Sequence, residues 1–181
     1  MLFNPTKIVV HHDGVSRKGP SFAIINTYHQ SQHFPKSSLG FYVGYHFWIE
    51  RDGTPRQART ESEIGAHTQG ENYTALGIGL AGNFDEERPS DEQIVTLGAL
   101  LSHLCFAHSI PSDRISPHRH YAKKTCYGSL LPDTWAQGIF LQFEQTRIAA
   151  AMAELGVGFV PTIKKKASGL ALGLAKLMGK V

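Results

Sequence analysis

The chain has 181 residues, 41% of them hydrophobic and 18% charged. That is a globular composition and excludes an intrinsically disordered chain. No run of 18 or more apolar residues occurs, which excludes a spanning helix. The formal charge of +3 is unevenly placed: Lys164, Lys165, Lys166, Lys176 and Lys180 lie beyond residue 162, and removing those five leaves −2 for residues 1–162. A nearly neutral body with a basic tail is not the footprint of a nucleic-acid-binding face, so no nucleic-acid partner is expected.

Lys7 to His11 is a continuous apolar, β-branched run and predicts a buried central strand ending in a histidine. Gly19-Pro20-Ser21 offers a helix start, with Phe22, Ile25 and Tyr28/His29 at helical spacing. Gly44 to Glu50 alternates, which assigns Tyr45, Phe47 and Ile49 to one face and His46, Trp48 and Glu50 to the other. Arg51 to Thr54 reads as a turn and Pro55 to Arg59 as its return strand. Ala75 to Ala81 is a second buried strand, in which Gly77 and Gly79 leave room for a helix or backbone to approach. Ser90-Asp-Glu-Gln93 is a capping box opening a helix with Ile94, Leu97, Leu101, Leu104 and His108 on one stripe. Pro111 to Tyr127 is polar, proline-bounded and histidine-rich, and reads as a long loop. A last helix is expected from about Asp133 to Glu154, with Trp135, Ile139, Phe143 and Ile148 apolar. Together these elements predict an α/β fold with a central mixed sheet of five or six strands and helices on both faces.

Ten histidines and two cysteines direct attention to metal ligands. His11 ends the first strand, while His118 and Cys126 lie eight residues apart in the late loop. Imidazole and thiolate are zinc ligands, and three protein donors with one exchangeable position is the catalytic rather than the structural arrangement. Spacing alone leaves other readings open. His12 competes with His11, Cys105 could pair with Cys126, and a lone buried cysteine is commonly a small hydrophobe.

Four stretches narrow the choice. They are Ile8-Val-Val-His11; Val43-Gly-Tyr-His-Phe-Trp-Ile-Glu-Arg-Asp-Gly53; Gly65-Ala-His-Thr-Gln-Gly-Glu-Asn72 followed by Leu76-Gly-Ile-Gly-Leu-Ala-Gly-Asn83; and Pro117-His-Arg-His-Tyr-Ala-Lys-Lys-Thr-Cys126. In this order and spacing they resemble the type 2 N-acetylmuramoyl-L-alanine amidases, which include phage amidase-type lysozymes and animal peptidoglycan recognition proteins. The resemblance covers roughly residues 6 to 142. It implies a zinc groove at one edge of the sheet, with His11, His118 and Cys126 as ligands. It also implies Tyr45 and Lys124 as catalytic residues, with Lys123 the competitor of Lys124. His67 and Asn72 are expected to line the substrate groove, against a reading in which they only make local loop hydrogen bonds. His29, His33, His46 and His120 are expected at the surface. One departure is visible: Tyr127-Gly128 follows the cysteine where the family usually has proline.

The resemblance further implies hydrolysis of the amide between N-acetylmuramic acid and L-alanine in peptidoglycan, by a monomeric phage endolysin. Alternatives are a cytoplasmic cell-wall recycling amidase and a binding protein without catalysis. No secretory signal pattern opens the chain. The expected setting is therefore the host cytoplasm until release to the cell wall. Residues 1–156 are assigned to the zinc amidase domain. Residues 157–181 are assigned to a basic amphipathic tail, with three readings open: a segment that meets anionic membrane, a terminal helix packed on the domain, or a disordered end.

Overall fold

A computed structural model describes residues 3–16, 18–19 and 21–157. The basic tail therefore lies, apart from Val157, outside the described residues. Five strands form one sheet: β1 (Lys7–His12), β2 (Phe47–Ile49), β3 (Pro55–Gln57), β4 (Ala75–Leu80) and β5 (Ile115–Pro117), in the order β3-β2-β4-β1-β5. Only the β2–β3 hairpin is antiparallel. β2 with β4, β4 with β1 and β1 with β5 are parallel. Among the described residues three α-helices complete the fold: α1 (Phe22–Ser31), α2 (Asp91–Ala107) and α3 (Trp135–Glu154). None of the described helices is long and apolar enough to cross a membrane.

Alternation along the strands sorts the two faces. Ile8 and Val10 of β1, Phe47 and Ile49 of β2, and Leu76, Ile78 and Leu80 of β4 join α2 and α3 in the main core. Those helices bring Leu97, Leu101, Leu104, Ile139 and Phe143. The stripe expected on the last helix stops short of Ile148, which is 46% exposed. The capping box forms as expected, with Gln93 N–H donating to Ser90 Oγ (3.1 Å) and Ser90 N–H to Gln93 Oε1 (3.2 Å). The opposite face carries α1 and a smaller cluster of Ile25, Val43, Tyr45, Trp48, Ala58 and Ala81.

Two expectations about this second face are corrected. Tyr45 does not share a face with Phe47 and Ile49; it packs in the α1-side cluster with Trp48. Alternation fails there because β2 begins only at Phe47. Immediately before it, the His46 carbonyl accepts from both Ala58 N–H (2.8 Å) and Arg59 N–H (3.2 Å). Two amides on one carbonyl break the pleat as a bulge does. Nor is it a helix or backbone that approaches Gly77 and Gly79. A Cβ on Gly79 would lie 2.6 Å from the Tyr45 ring, and one on Gly77 would lie 2.5 Å from the His67 imidazole. The two glycines carve the hollow in which those rings lie.

Helix α1 starts without help from its own N-cap side chain. Instead the buried carboxylate of Glu50 accepts from Ser21 N–H (2.8 Å), Ser21 O–H (2.7 Å) and Phe22 N–H (2.8 Å). A carboxylate at a helix N-terminus meets both the unpaired amides and the dipole. Glu50→Ala strands these donors and is expected to cost about 3 kcal/mol. In a domain of this size that lowers the thermal midpoint by roughly 10 °C. An unchanged melting curve would show that the capping is dispensable.

Candidate metal centre

The sheet register brings two histidines side by side. β1 and β5 run parallel with Val10 opposite Pro117; the next residues are His11, still within β1, and His118, the first residue past β5. Their ring centroids are 4.4 Å apart. The long loop expected over Pro111 to Tyr127 thus conceals the strand that places a ligand. β5 is three residues long and ends in proline, which an edge strand tolerates.

Cys126 arrives from the far side of the same loop. Its Sγ lies 3.8 Å from His11 Nδ1 and accepts from His12 N–H at 3.4 Å. Donor atoms of His11, His118 and Cys126 all lie within 4.8 Å of one another, and no fourth histidine, cysteine or carboxylate joins them among the described residues. His12 points to the other face, where its Nδ1 accepts from Phe84 N–H at 3.0 Å. Cys105 and Cys126 are both free thiols, and Cys105 belongs to the main core.

Arg119 staples the cysteine loop, a role the sequence did not reveal. Its backbone N–H donates to Cys126 O (2.6 Å). Its guanidinium donates to Thr125 O (3.2 Å), Gly128 O (2.7 Å), Leu131 O (2.7 Å) and Asp133 Oδ1 (2.5 Å). The departure at Tyr127-Gly128 does not loosen this loop. Tyr127 is fully buried in the main core and donates its hydroxyl proton toward Pro132 O (3.0 Å) and Asp133 O (2.8 Å). Gly128, at φ +113°, adopts a conformation L side chains rarely take, and a Cβ there would strike Phe84 at 2.4 Å.

Tyr45 borders the cluster, its ring 4.9 Å from that of His11. The hydroxyl makes no hydrogen bond to the described residues. Burial, then the neighbouring Cys126 and Asp13, push its pKa up. Lys124 is exposed on the cysteine loop, and its ammonium acts on all three candidate ligands. Burial first, then Lys124, hold His118 down at about 4. His11 is lowered well below its ordinary value by burial, His67 and His118, with Lys124 a smaller cause. The Cys126 thiol is pushed up to about 11 by burial, against the opposing pull of the His12 N–H and Lys124.

His67 lies against His11, with its Nδ1 3.1 Å from His11 Nε2. Asn72 is spent on the loop: its Oδ1 accepts from His67 N–H and Thr68 N–H, both at 2.9 Å. Thr68, for which the sequence carries no local signal, places its hydroxyl 2.8 Å from His67 Nδ1 and 3.3 Å from His11 Nε2.

Two histidines expected at the surface are core residues. His46 is fully buried; its Nδ1 accepts from Gly77 N–H (2.9 Å) and its Nε2 donates to Glu63 O (2.8 Å). His29 is buried as well and its Nδ1 accepts from Gly44 N–H (3.0 Å). His33 and His120 are exposed. Burial, aided by the Arg59 charge, lowers the pKa of His29 and of His46 from 6.5 to about 4. The unfolded chain therefore binds protons at a pH where the folded chain does not. Stability contributed by the neutral rings is complete above pH 6.5 and is lost as pH falls toward 4, with each shift equivalent to roughly 3 kcal/mol. The urea midpoint of metal-free protein should fall steeply across that window, and a flat profile would contradict the burial of these rings.

The fold is mixed α/β, and it brings His11, His118 and Cys126 together as three donors that could hold a metal ion. The chain belongs to the Amidase_2 family of N-acetylmuramoyl-L-alanine amidases, matching it over residues 2–129. It is 35% identical over 89 residues to the endolysin of Enterobacteria phage K11, covering 46% of this chain and 58% of that one. It is 29% identical over 123 residues to peptidoglycan-recognition protein SC2 of Drosophila melanogaster, covering 67% of each. The chain thus spans less than two thirds of the K11 endolysin. Among solved structures, the N-acetylmuramoyl-L-alanine amidase LysC from Clostridium intestinale URNW is similar, with a TM-score of 0.63 at 29% identity. That likeness covers 87% of this chain and 91% of LysC.

Proposed function

We propose that the chain is a zinc-dependent peptidoglycan amidase that hydrolyses the bond between N-acetylmuramic acid and L-alanine, acting as a phage endolysin. The observation that carries this reading is the convergence of His11, His118 and Cys126 beside Tyr45 and Lys124. Two imidazoles held neutral by burial and one thiol with a backbone N–H on its sulfur are a donor set suited to zinc. Zinc in such a site polarises a carbonyl and lowers the pKa of a water to about 7. Lys124 places a positive charge where the scissile carbonyl oxygen gains negative charge. The phenol of Tyr45 holds or moves a proton at its oxygen, which no described residue occupies. Membership of the amidase family and the likeness to the K11 endolysin support the substrate class and the setting.

Purified sacculi incubated with the zinc-loaded protein should release stem peptides with a free L-alanine amino group. Chelator should stop the release and added zinc restore it. No new amino groups, or release indifferent to chelator, would overturn the reading.

A further inference from the structure

We infer that His67 is a positioning residue of the metal centre, holding His11 in the tautomer whose Nδ1 faces the metal. This rests on the metal-centre reading above and assigns His67 a task other than lining the substrate groove.

His67 Nε2 lies 3.2 Å from Ala75 O. A carbonyl oxygen only accepts, so Nε2 carries the proton and the Nδ1 of the neutral ring is a bare acceptor. That acceptor faces His11 Nε2 at 3.1 Å and Thr68 Oγ1 at 2.8 Å. Were His11 Nε2 also bare, two lone pairs would oppose each other in a buried site. His11 Nε2 therefore carries its proton, donated to His67 directly or to Thr68 Oγ1 at 3.3 Å, whose own proton goes on to His67. Either route leaves the lone pair of His11 on Nδ1, the atom that lies 3.8 Å from Cys126 Sγ.

The fold builds a slot for this purpose. Cβ atoms on Gly65 or Gly77 would each lie 2.5 Å from His67 Cδ2, so the imidazole is clasped between two residues without side chains. Asn72 fixes the backbone of His67 and Thr68. Ala75, which anchors the far nitrogen, is on β4 opposite Lys7 of β1, the strand that carries His11. The ligand and the group that orients it are thus referenced to the same pair of strands. The arrangement parallels the carbonyl or carboxylate partners commonly found behind metal-bound histidines, here with a second imidazole interposed.

The test reads the tautomer and the metal separately. Long-range proton–nitrogen NMR spectra of the metal-free full-length protein should show His11 protonated at Nε2, and His67→Phe should give a mixture of tautomers. Zinc competition with a chelating dye should show affinity falling about 10–100-fold in His67→Phe. The His67→Asn variant, whose Oδ1 lies near the position of Nδ1, should fall between the two. Finding His11 protonated at Nδ1 in the wild-type protein would overturn the inference without any variant. So would a His67→Phe protein with wild-type zinc affinity whose glycopeptide binding alone is lost. Wild-type protein that takes up no zinc would instead sink the metal-centre reading itself.

Discussion

Replacing Cys126 by serine should reduce stem-peptide release by about 10³-fold or more and lower the zinc content from one per chain to a trace. Serine keeps the size of the side chain, and the contacts of Cys126 with His12 N–H and His12 O are ones an alcohol can also make. The fold should therefore survive, with the staple from Arg119 intact. What is lost is donor chemistry. A thiolate is a soft, anionic ligand that ionises when metal binds, whereas a serine hydroxyl is hard and stays protonated near neutral pH. The thiol's pKa, pushed up to about 11 by burial, sharpens the contrast. Metal analysis beside the sacculus assay checks this prediction. Full activity with full zinc in Cys126→Ser would remove the thiol from the site.

Much of this arrangement was legible because its parts have strong local signatures. The unbroken β-branched run into His11 reads as a buried parallel strand, and the Ser90–Gln93 box marks a helix start wherever it occurs. β5 was hidden because three residues ending in proline carry no periodicity; its strand character comes from β1 beside it. His46 and His29 looked like surface residues because histidine is polar, yet each ring finds backbone partners that only the folded chain supplies. The faces of Tyr45 and Phe47 were misassigned because a bulge is a property of the pairing, not of one strand. Gly77 and Gly79 announced that something comes close to the sheet, but not that it is two aromatic rings. The roles of Thr68 and Arg119 depend on contacts with residues brought together by folding, for which one sequence holds no local signal.

Tyr45→Phe should lower turnover by about 10²–10⁴-fold, the range for loss of a positioned proton donor or acceptor, while zinc affinity and thermal stability stay close to wild type. The ring does the packing: it lies against His11, His29 and Trp48, over the space left by Gly79. Phenylalanine preserves all of that. The hydroxyl has no hydrogen bond to the described residues, so its removal strands no partner, and the usual penalty of deleting a buried polar group does not arise. Any defect therefore belongs to the reaction. Lys124→Met makes the complementary test. Lys124 is exposed and acts on the cluster by its charge, so its loss should lower turnover while raising the pKa values of the His118 imidazole and the Cys126 thiol in the metal-free protein. Tyr45→Phe, in contrast, should leave both in place. Equal turnover in Tyr45→Phe and wild type would reduce Tyr45 to a packing residue and leave the charge of Lys124 to stabilise the oxyanion.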